Sequence, residues 1–195
     1  MVNIAIFASG SGTNAENIHH FFSKHRLNTQ IKLIICNIPD AGVLQRASRL
    51  GIESATFTNQ EMKNGSLPIE LLKKHHIDLI VLAGYMNLIA QPLLDAYPKR
   101  ILNIHPALLP AYGGKGMYGH HVHEAVIAHK ETRSGITIHI VDEHYDHGTT
   151  LCHATCPVFP EDTADTLAER IHSLEYRYYP VTILQYIREL GLETL

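Results

Sequence analysis

The sequence predicts an α/β fold, because strand-length apolar runs alternate with segments of helical periodicity along the chain. The first such run, residues 3–8, is continuously apolar and suits a strand buried on both faces. Strands that alternate with helices are joined by right-handed crossovers and form a mostly parallel sheet. Residues 135–141 alternate in polarity instead, and we expect residues 151–157 to pair back with them. The predicted architecture is a single three-layer, Rossmann-like domain over residues 1–195, with an antiparallel C-terminal strand pair.

The composition is typical of a globular protein. The 195 residues are 45% hydrophobic and 18% charged, enough for one domain with a sizeable core. A formal net charge of −3 disfavours a nucleic-acid-binding surface, and no apolar run is long enough for a membrane span. The three cysteines form no disulfide framework, and the N-terminus shows no signal peptide. We therefore expect a cytoplasmic protein without nucleic-acid or membrane partners, and the composition leaves its oligomeric state open.

A glycine turn follows the first predicted strand. Residues 9–14 read Ser-Gly-Ser-Gly-Thr-Asn, and a helix with Ala15, Ile18 and Phe22 at helical spacing comes next. A strand, a glycine turn and a helix N-terminus together form a common anion site, since backbone N–H groups face the ligand. The spacing also satisfies a dinucleotide fingerprint, but the second strand ends at Asn37 and not at an acid. We favour a monophosphate-bearing ligand over NAD or ATP, and a turn required only for backbone geometry is the alternative.

The middle of the chain continues the alternation of helices, strands and turns. In order, the pattern predicts a strand over residues 31–37, a helix over 41–50, a strand over 54–57, a polar loop over 58–65, a helix from 66 to 76, a buried strand over 79–83 and a short helix over 92–96. Gly51 is expected to end the first of these helices, and Ser66 to cap the second.

Residues 101–110, Ile-Leu-Asn-Ile-His-Pro-Ala-Leu-Leu-Pro, form the segment around which the chemistry is predicted. The segment begins as a strand and stops at Pro106, which cannot donate to a ladder. Asn103 and His105 therefore share one face at the carboxyl end of a strand, where open α/β sheets bind ligands. An amide can stabilise an oxyanion and an imidazole can shuttle a proton, as acyl transfer requires. The alternative is structural, with Asn103 capping a turn and His105 buried.

A glycine-rich loop over residues 113–119 carries one lysine, Lys115. We expect the loop to be mobile; closure of the loop over a substrate is one hypothesis, and a solvated lysine is the other. The helix that follows is rich in histidine, but His121 and His123 point to different sides. His120 and Glu124 supply only two ligands, so we expect no metal ion.

The C-terminal part of the chain combines an acidic turn over residues 142–148 with a long helix. Asp162 is expected to cap that helix. Pro180 is expected to kink or break it before residues 183–190. The apolar residues Leu167, Ile171 and Leu174 mark its buried face.

Three motifs together resemble the folate-dependent formyltransferases, almost from end to end of the chain. Residues 103–110 match the family signature, Asp146-His147-Gly148 matches its Asp-x-Gly turn, and residues 9–14 match its phosphate loop. The phosphate loop and the segment Leu174-Glu175-Tyr176 narrow the resemblance to members that act on phosphoribosylglycinamide (GAR).

The resemblance implies transfer of a formyl group from 10-formyl-tetrahydrofolate to the amino group of GAR, in purine (IMP) biosynthesis and without a metal. Its implied catalytic triad is Asn103, His105 and Asp146, and Asp146 is expected to raise the pKa of His105. The implied GAR-binding residues are Gly12, Thr13, Asn14 and Glu175. The implied folate-binding residues are Tyr85, Met86, Asn87, Leu88, Ile89 and Asn103, with a contribution from the 141–146 turn.

Three other functions share part of this pattern. A formyl-tetrahydrofolate hydrolase shares the triad but usually carries an N-terminal regulatory domain, whereas here the first strand begins at Asn3. A transfer-RNA formyltransferase carries a basic C-terminal domain, which we do not expect in a chain ending at Leu195. A non-catalytic nucleotide-binding module would leave the triad unexplained.

Overall fold

A computed structural model describes residues 1–25 and 27–192, which build a seven-stranded sheet with helices on both faces. The strands are β1 (Val2–Ala8), β2 (Thr29–Cys36), β3 (Glu53–Thr56), β4 (Leu79–Leu82), β5 (Ile101–His105), β6 (Arg133–Ile140) and β7 (Thr150–Pro157). The sheet order is β3-β2-β1-β4-β5-β6-β7. The pairs from β3 to β5 are parallel, whereas β6 runs antiparallel to both β5 and β7. The predicted fold class is confirmed.

Seven helices cover the two faces of the sheet in the described part of the chain. They are α1 (Thr13–Lys24), α2 (Gly42–Leu50), α3 (Asn59–Asn64), α4 (Ser66–Lys74), α5 (Gln91–Ala96), α6 (His120–Ala128) and α7 (Ala164–Glu189). None of these helices is both long and apolar enough to cross a membrane.

Each face of the sheet has its own apolar core. Along β1, Ile4 and Ile6 point into a core shared with α1, α2, α6 and α7. Ala5 and Phe7 point the other way, into a core shared with α3, α4 and α5. This alternation explains why the first strand is continuously apolar, since both of its faces are covered.

The polar segment that was expected to be a loop contains the short helix α3. Thr58 and Glu61 form a capping box: the Glu61 carboxylate accepts the Thr58 backbone N–H at 2.7 Å, and the Thr58 hydroxyl accepts the Glu61 N–H at 3.2 Å. The loop prediction was wrong because this capping box starts a helix within the polar segment. Ser66 is the first residue of α4 and not its cap, because Gly65, with φ of 81°, takes the capping position.

Helix α7 begins one residue later than expected. Its N-cap is Thr163, whose hydroxyl accepts the Thr166 N–H at 3.3 Å. Asp162 was wrongly assigned as the cap. Its carboxylate instead accepts hydrogen bonds from the two terminal guanidinium nitrogens of Arg170, at 2.7 and 3.0 Å.

The same helix continues through Pro180 without a break, so the expected interruption was wrong. Proline has no N–H, and the helical partner that it leaves unsatisfied is the carbonyl of Tyr176. The side-chain amide of Asn17, on α1, donates to that carbonyl at 2.9 Å. A neighbouring helix therefore supplies the donor that proline lacks.

Candidate active site

A cleft of about 500 Å³ opens at the carboxyl ends of the parallel strands β1, β4 and β5. This is where an open α/β sheet is expected to bind ligands. Every site residue predicted from the sequence lines this cleft: Gly12, Thr13, Asn14, Tyr85, Met86, Asn87, Leu88, Ile89, Asn103, His105, Asp146 and Glu175.

Asn103 is held in place by the strand beside it. Strands β5 and β6 pair antiparallel, with Asn103 opposite His139. The Asn103 amide nitrogen lies 3.1 Å from His139 Nε2 and 3.4 Å from Asp146 Oδ1. His139 Nδ1 lies 3.3 Å from the carbonyl oxygen of Ile140, which favours the tautomer with its proton on Nδ1. His139 Nε2 then accepts one N–H of Asn103.

His105 is buried, with partners on both ring nitrogens. Its Nε2 lies 2.7 Å from the carbonyl oxygen of Tyr112, so this nitrogen carries the proton, and its Nδ1 faces Asp146 Oδ1 at 3.5 Å. Burial lowers the pKa of His105, while the Asp146 carboxylate acts to raise it. Burial outweighs the carboxylate. The pKa of His105 is therefore below its ordinary value, opposite to the direction expected from Asp146 alone, and a neutral imidazole is favoured.

Asp146 lies in a strained turn that points its carboxylate at the two histidines. Its φ of 56° is in the left-handed region, and its Oδ2 accepts the Gly114 N–H at 3.0 Å. Burial raises the pKa of Asp146, but the neighbouring imidazoles of His139 and His105 and the Gly114 N–H outweigh it and hold the pKa below its ordinary value. Asp146 is thus an ionised carboxylate next to a neutral imidazole.

The glycine of the Asp-x-Gly turn is required by space. A Cβ on Gly148 would overlap the carbonyl oxygen of Ile140. Only glycine lets the chain turn back this closely, and the turn places Asp146 against β5 and β6.

The first loop and the last long helix meet at one end of the cleft. Gly12 is the N-cap residue of α1 with φ of 80°, and a Cβ there would come within 2.6 Å of the Val43 side chain. Asn14 donates to the Glu175 carboxylate at 2.8 Å, while its own Oδ1 is buried without a partner in the described structure. Burial raises the pKa of Glu175. This end therefore combines a helix N-terminus with a buried polar pair that a ligand amide or amine can complete.

The other end of the cleft has an apolar wall. Met86 and Leu88 line this end and leave 46% and 43% of their surfaces exposed. Their backbone is held in place, because Met86 donates to the Ser9 hydroxyl at 3.2 Å and Leu88 donates to the Tyr145 hydroxyl at 3.1 Å. Such a wall suits a flat, largely apolar ring system.

Four histidines of the cleft were not individually predicted as site residues: His123, His139, His144 and His172. His139 was placed on a strand face without a role, and the antiparallel pairing of β6 with β5 could have identified it. His123, on α6, is 3% exposed and its Nδ1 has no partner among the described residues. Burial, then His172 and His120, lower the pKa of His123 to about 4. His121 is exposed, which confirms that His121 and His123 point to different sides.

Taken together, the triad residues can assist nucleophilic attack on a carbonyl carbon. The second N–H of Asn103 makes only a long contact, 3.4 Å, to Asp146 Oδ1 and can donate instead to an oxyanion. A neutral His105 beside an ionised Asp146 can take up and return a proton. Lys115 also lines the cleft and adds a positive charge at its edge.

The comparisons with known proteins agree with this geometry. Residues 2–183 match the family model described as "Formyl transferase". The chain is 38% identical to the phosphoribosylglycinamide formyltransferase of Bacillus subtilis, over 95% of this chain and 94% of the relative. It is 42% identical to the chloroplastic phosphoribosylglycinamide formyltransferase of Arabidopsis thaliana over 90% of this chain. The chain spans 62% of that plant relative's length and 58% of its counterpart from Vigna unguiculata.

A solved structure shows the same fold. The crystal structure of phosphoribosylglycinamide formyltransferase from Bacillus halodurans superposes with a TM-score of 0.86 at 38% identity, covering 95% of both chains. With a family model matched over most of its length and relatives above 30% identity, the chain belongs to the formyl transferase family.

Proposed function

We propose that the protein transfers the formyl group of 10-formyl-tetrahydrofolate to the amino group of GAR, producing formyl-GAR for de novo purine biosynthesis. The observation that carries this proposal is the convergence of Asn103, His105 and Asp146 in one cleft. The names of the relatives from Bacillus subtilis and Arabidopsis thaliana support the choice of acceptor.

In the proposed reaction, the GAR amine attacks the formyl carbon. Negative charge develops on the formyl oxygen, and the second N–H of Asn103 donates to it. The attacking nitrogen becomes positively charged, and its proton passes through His105 to the departing folate nitrogen. Asp146 stabilises the imidazolium that forms in between. The proposed transfer needs neither a metal ion nor a covalent enzyme intermediate.

The two ends of the cleft have different proposed ligands. The N-terminal end of α1, with Gly12 and Thr13, binds the GAR phosphate through backbone N–H groups. Asn14 also contacts the phosphate, and Glu175, which accepts from Asn14 at 2.8 Å, meets the glycinamide amine. The pterin ring of the folate lies along the apolar wall of residues 85–89, and the 141–146 turn closes over it. Both substrates are small molecules, and we propose a cytoplasmic location, which free cysteines suit.

A test of this function compares consumption of 10-formyl-tetrahydrofolate with and without GAR, in the presence of a chelator. We expect rapid consumption only with GAR, because the acceptor amine must be held about 3 Å from the formyl carbon for reaction. Equal rates with and without GAR would identify a hydrolase. No consumption under either condition would favour a binding module.

A variant pair tests the proposed phosphate site. Thr13→Ala with Asn14→Ala should chiefly raise KM for GAR, because the phosphate lies far from the reacting atoms. The matched control, Thr132→Ala with Asn64→Ala, alters exposed residues outside the cleft and should leave KM unchanged. An unchanged KM for GAR in the first variant would refute the assignment of this loop.

A further inference from the structure

The turn between β6 and β7 brings together three side chains to which the proposed reaction assigns no catalytic role. Asp142, His144 and His147 each offer one ligand atom, and these atoms all lie within 4.8 Å of one another. We infer that this turn is a binding site for one divalent first-row transition metal ion, of which Zn²⁺ is the representative. The inference concerns metal binding itself and does not depend on the proposed function.

The carboxylate of Asp142 is already oriented for this role. Its Oδ1 accepts the backbone N–H of His144 at 2.9 Å, which holds the side chain against the turn. Its Oδ2 lies 3.6 Å from His147 Nδ1. Ligand atoms about 2.0–2.1 Å from a tetrahedral zinc ion are about 3.4 Å apart, so this pair is close to a coordinating distance.

The two imidazoles can adjust to complete the site. The side chains of His144 and His147 are 68% and 79% exposed, so rotation toward a common point breaks little packing. The Glu143 carboxylate lies 3.9 Å from His144 Nδ1 and adds negative charge beside the cluster. That charge favours a cation at this position.

The chemistry of the donor set decides which ion fits. Two imidazole nitrogens and one carboxylate oxygen suit zinc, nickel, copper or ferrous iron. Calcium and magnesium require mostly oxygen ligands, so this set selects against them. Three protein ligands leave at least one coordination position for water or another ligand.

A metal ion at this turn runs against the expectation of no metal ion from the sequence, in which His120 and Glu124 supply only two ligands. Asp142, His144 and His147 are spaced by two and three residues, a pattern with no regular helix or strand face. Their convergence depends on how the turn folds, which includes the left-handed backbone of Asp146.

An ion at this position would link both halves of the turn that carries Tyr145 and Asp146. Tyr145 accepts from Leu88, and Asp146 accepts from Gly114, so the turn is in contact with two cleft loops. We therefore expect metal binding to slow backbone exchange in residues 141–148.

The binding test is calorimetric titration of Zn²⁺ into metal-free protein without substrates. We expect one ion per chain in the tightest phase, with His144→Ala and His147→Ala each weakening it about tenfold or more, or about 1.4 kcal/mol. The matched control is His121→Ala, which removes an exposed histidine that faces Glu124 instead. Unweakened binding in a His144→Ala/His147→Ala double variant would overturn the inference. So would an equal loss in His121→Ala.

A second measurement does not depend on stoichiometry. Hydrogen exchange of amides 141–148 should slow on addition of Zn²⁺ in the unmodified protein and not in the double variant. The two proteins are compared only if they have the same thermal unfolding midpoint without metal. If zinc slows exchange equally in both proteins, or in neither, the turn is not the site. Because no substrate is present, failure of the proposed function would leave this result intact.

Discussion

The amide nitrogen of Asn103 lies 3.1 Å from Nε2 of His139, across the only antiparallel edge of β5. This contact determines which way the amide points. One of its N–H groups is used on His139, and the other makes only a long contact, 3.4 Å, to Asp146 Oδ1, which a ligand oxygen in the cleft can replace. A side chain oriented in this way can donate to an oxyanion with little reorganisation during the reaction, which is the condition for efficient electrostatic stabilisation.

Asn103→Ala should therefore fold normally and reduce kcat by roughly 10²–10³-fold, the usual cost of removing one oxyanion donor. Steady-state kinetics with both substrates measures this, and the dissociation constant of the folate should change far less. Asn103→Asp, which keeps the size but removes the N–H donors, should be similarly impaired. Retention of most of the turnover by either variant would contradict the role.

His105 and Asp146 should behave as one unit. Asp146 raises the pKa of His105, although burial keeps it below its ordinary value, so Asp146→Asn should lower it further. If the neutral imidazole is the active form, the acidic limb of the kcat/KM profile should move to lower pH while kcat falls. The His105→Ala/Asp146→Asn double variant should be little worse than the worse single variant. Additive losses would show that the two residues act independently.

Lys115 should matter for the binding of an anionic substrate. It lines the cleft on a loop where Gly114 and Gly116 have φ of 97° and 91°, a backbone conformation that favours glycine. Lys115→Ala should raise KM for either GAR or the folate, and more so at low salt, because screening weakens the charge interaction. Lys73→Ala, on α4 outside the cleft, is the control. Unchanged kinetics with both substrates would leave Lys115 as a solvated side chain.

The buried imidazole of His123 should make stability depend on pH. Its pKa is lowered to about 4, chiefly by burial, whereas the unfolded chain has the ordinary value of about 6.5. The unfolded state therefore binds the proton first as pH falls. The contribution of neutral His123 to the free energy of unfolding is fully present above pH of about 6.5. It is lost toward pH of about 4, by up to about 3 kcal/mol.

Urea unfolding at a series of pH values measures this dependence. His123→Gln should flatten the slope between these two pH values, and the exposed His121→Gln should not. An unaltered slope in His123→Gln would assign the acid sensitivity to other groups.

The hydrogen bond from Asn17 to the Tyr176 carbonyl should stabilise α7 because Pro180 cannot supply the usual donor. Asn17→Ala should lower the free energy of unfolding by about 1 kcal/mol, the usual worth of such a bond. In a Pro180→Ala background the new N–H can bond to Tyr176, so the same substitution should cost less. A double-mutant cycle measures the difference. Equal costs in both backgrounds would show that Asn17 does not compensate for the proline.

The sequence by itself determined the fold class and several residues of the cleft. Apolar residues repeat about every two residues in a strand and every 3.6 residues in a helix. This pattern is a local property of the sequence, so the order of strands and helices could be predicted. The position of Asn103 and His105 at a strand end followed from Pro106, because proline ends a ladder. The capping boxes at Thr58 and Thr163 are also local patterns. The sequence therefore contains the signal for both helix starts, although the predicted loop and the predicted cap at Asp162 were wrong.

Only the tertiary structure decided the contacts between distant residues. The placement of His139 against Asn103 depends on the register of an antiparallel pair, and the donor for Tyr176 comes from a helix 159 residues away in sequence. The direction of the His105 pKa shift depends on burial, which a neighbouring carboxylate does not reveal. Each of these features depends on how the helices and strands pack in space. No short stretch of the sequence contains both partners, and none shows how deeply they are buried.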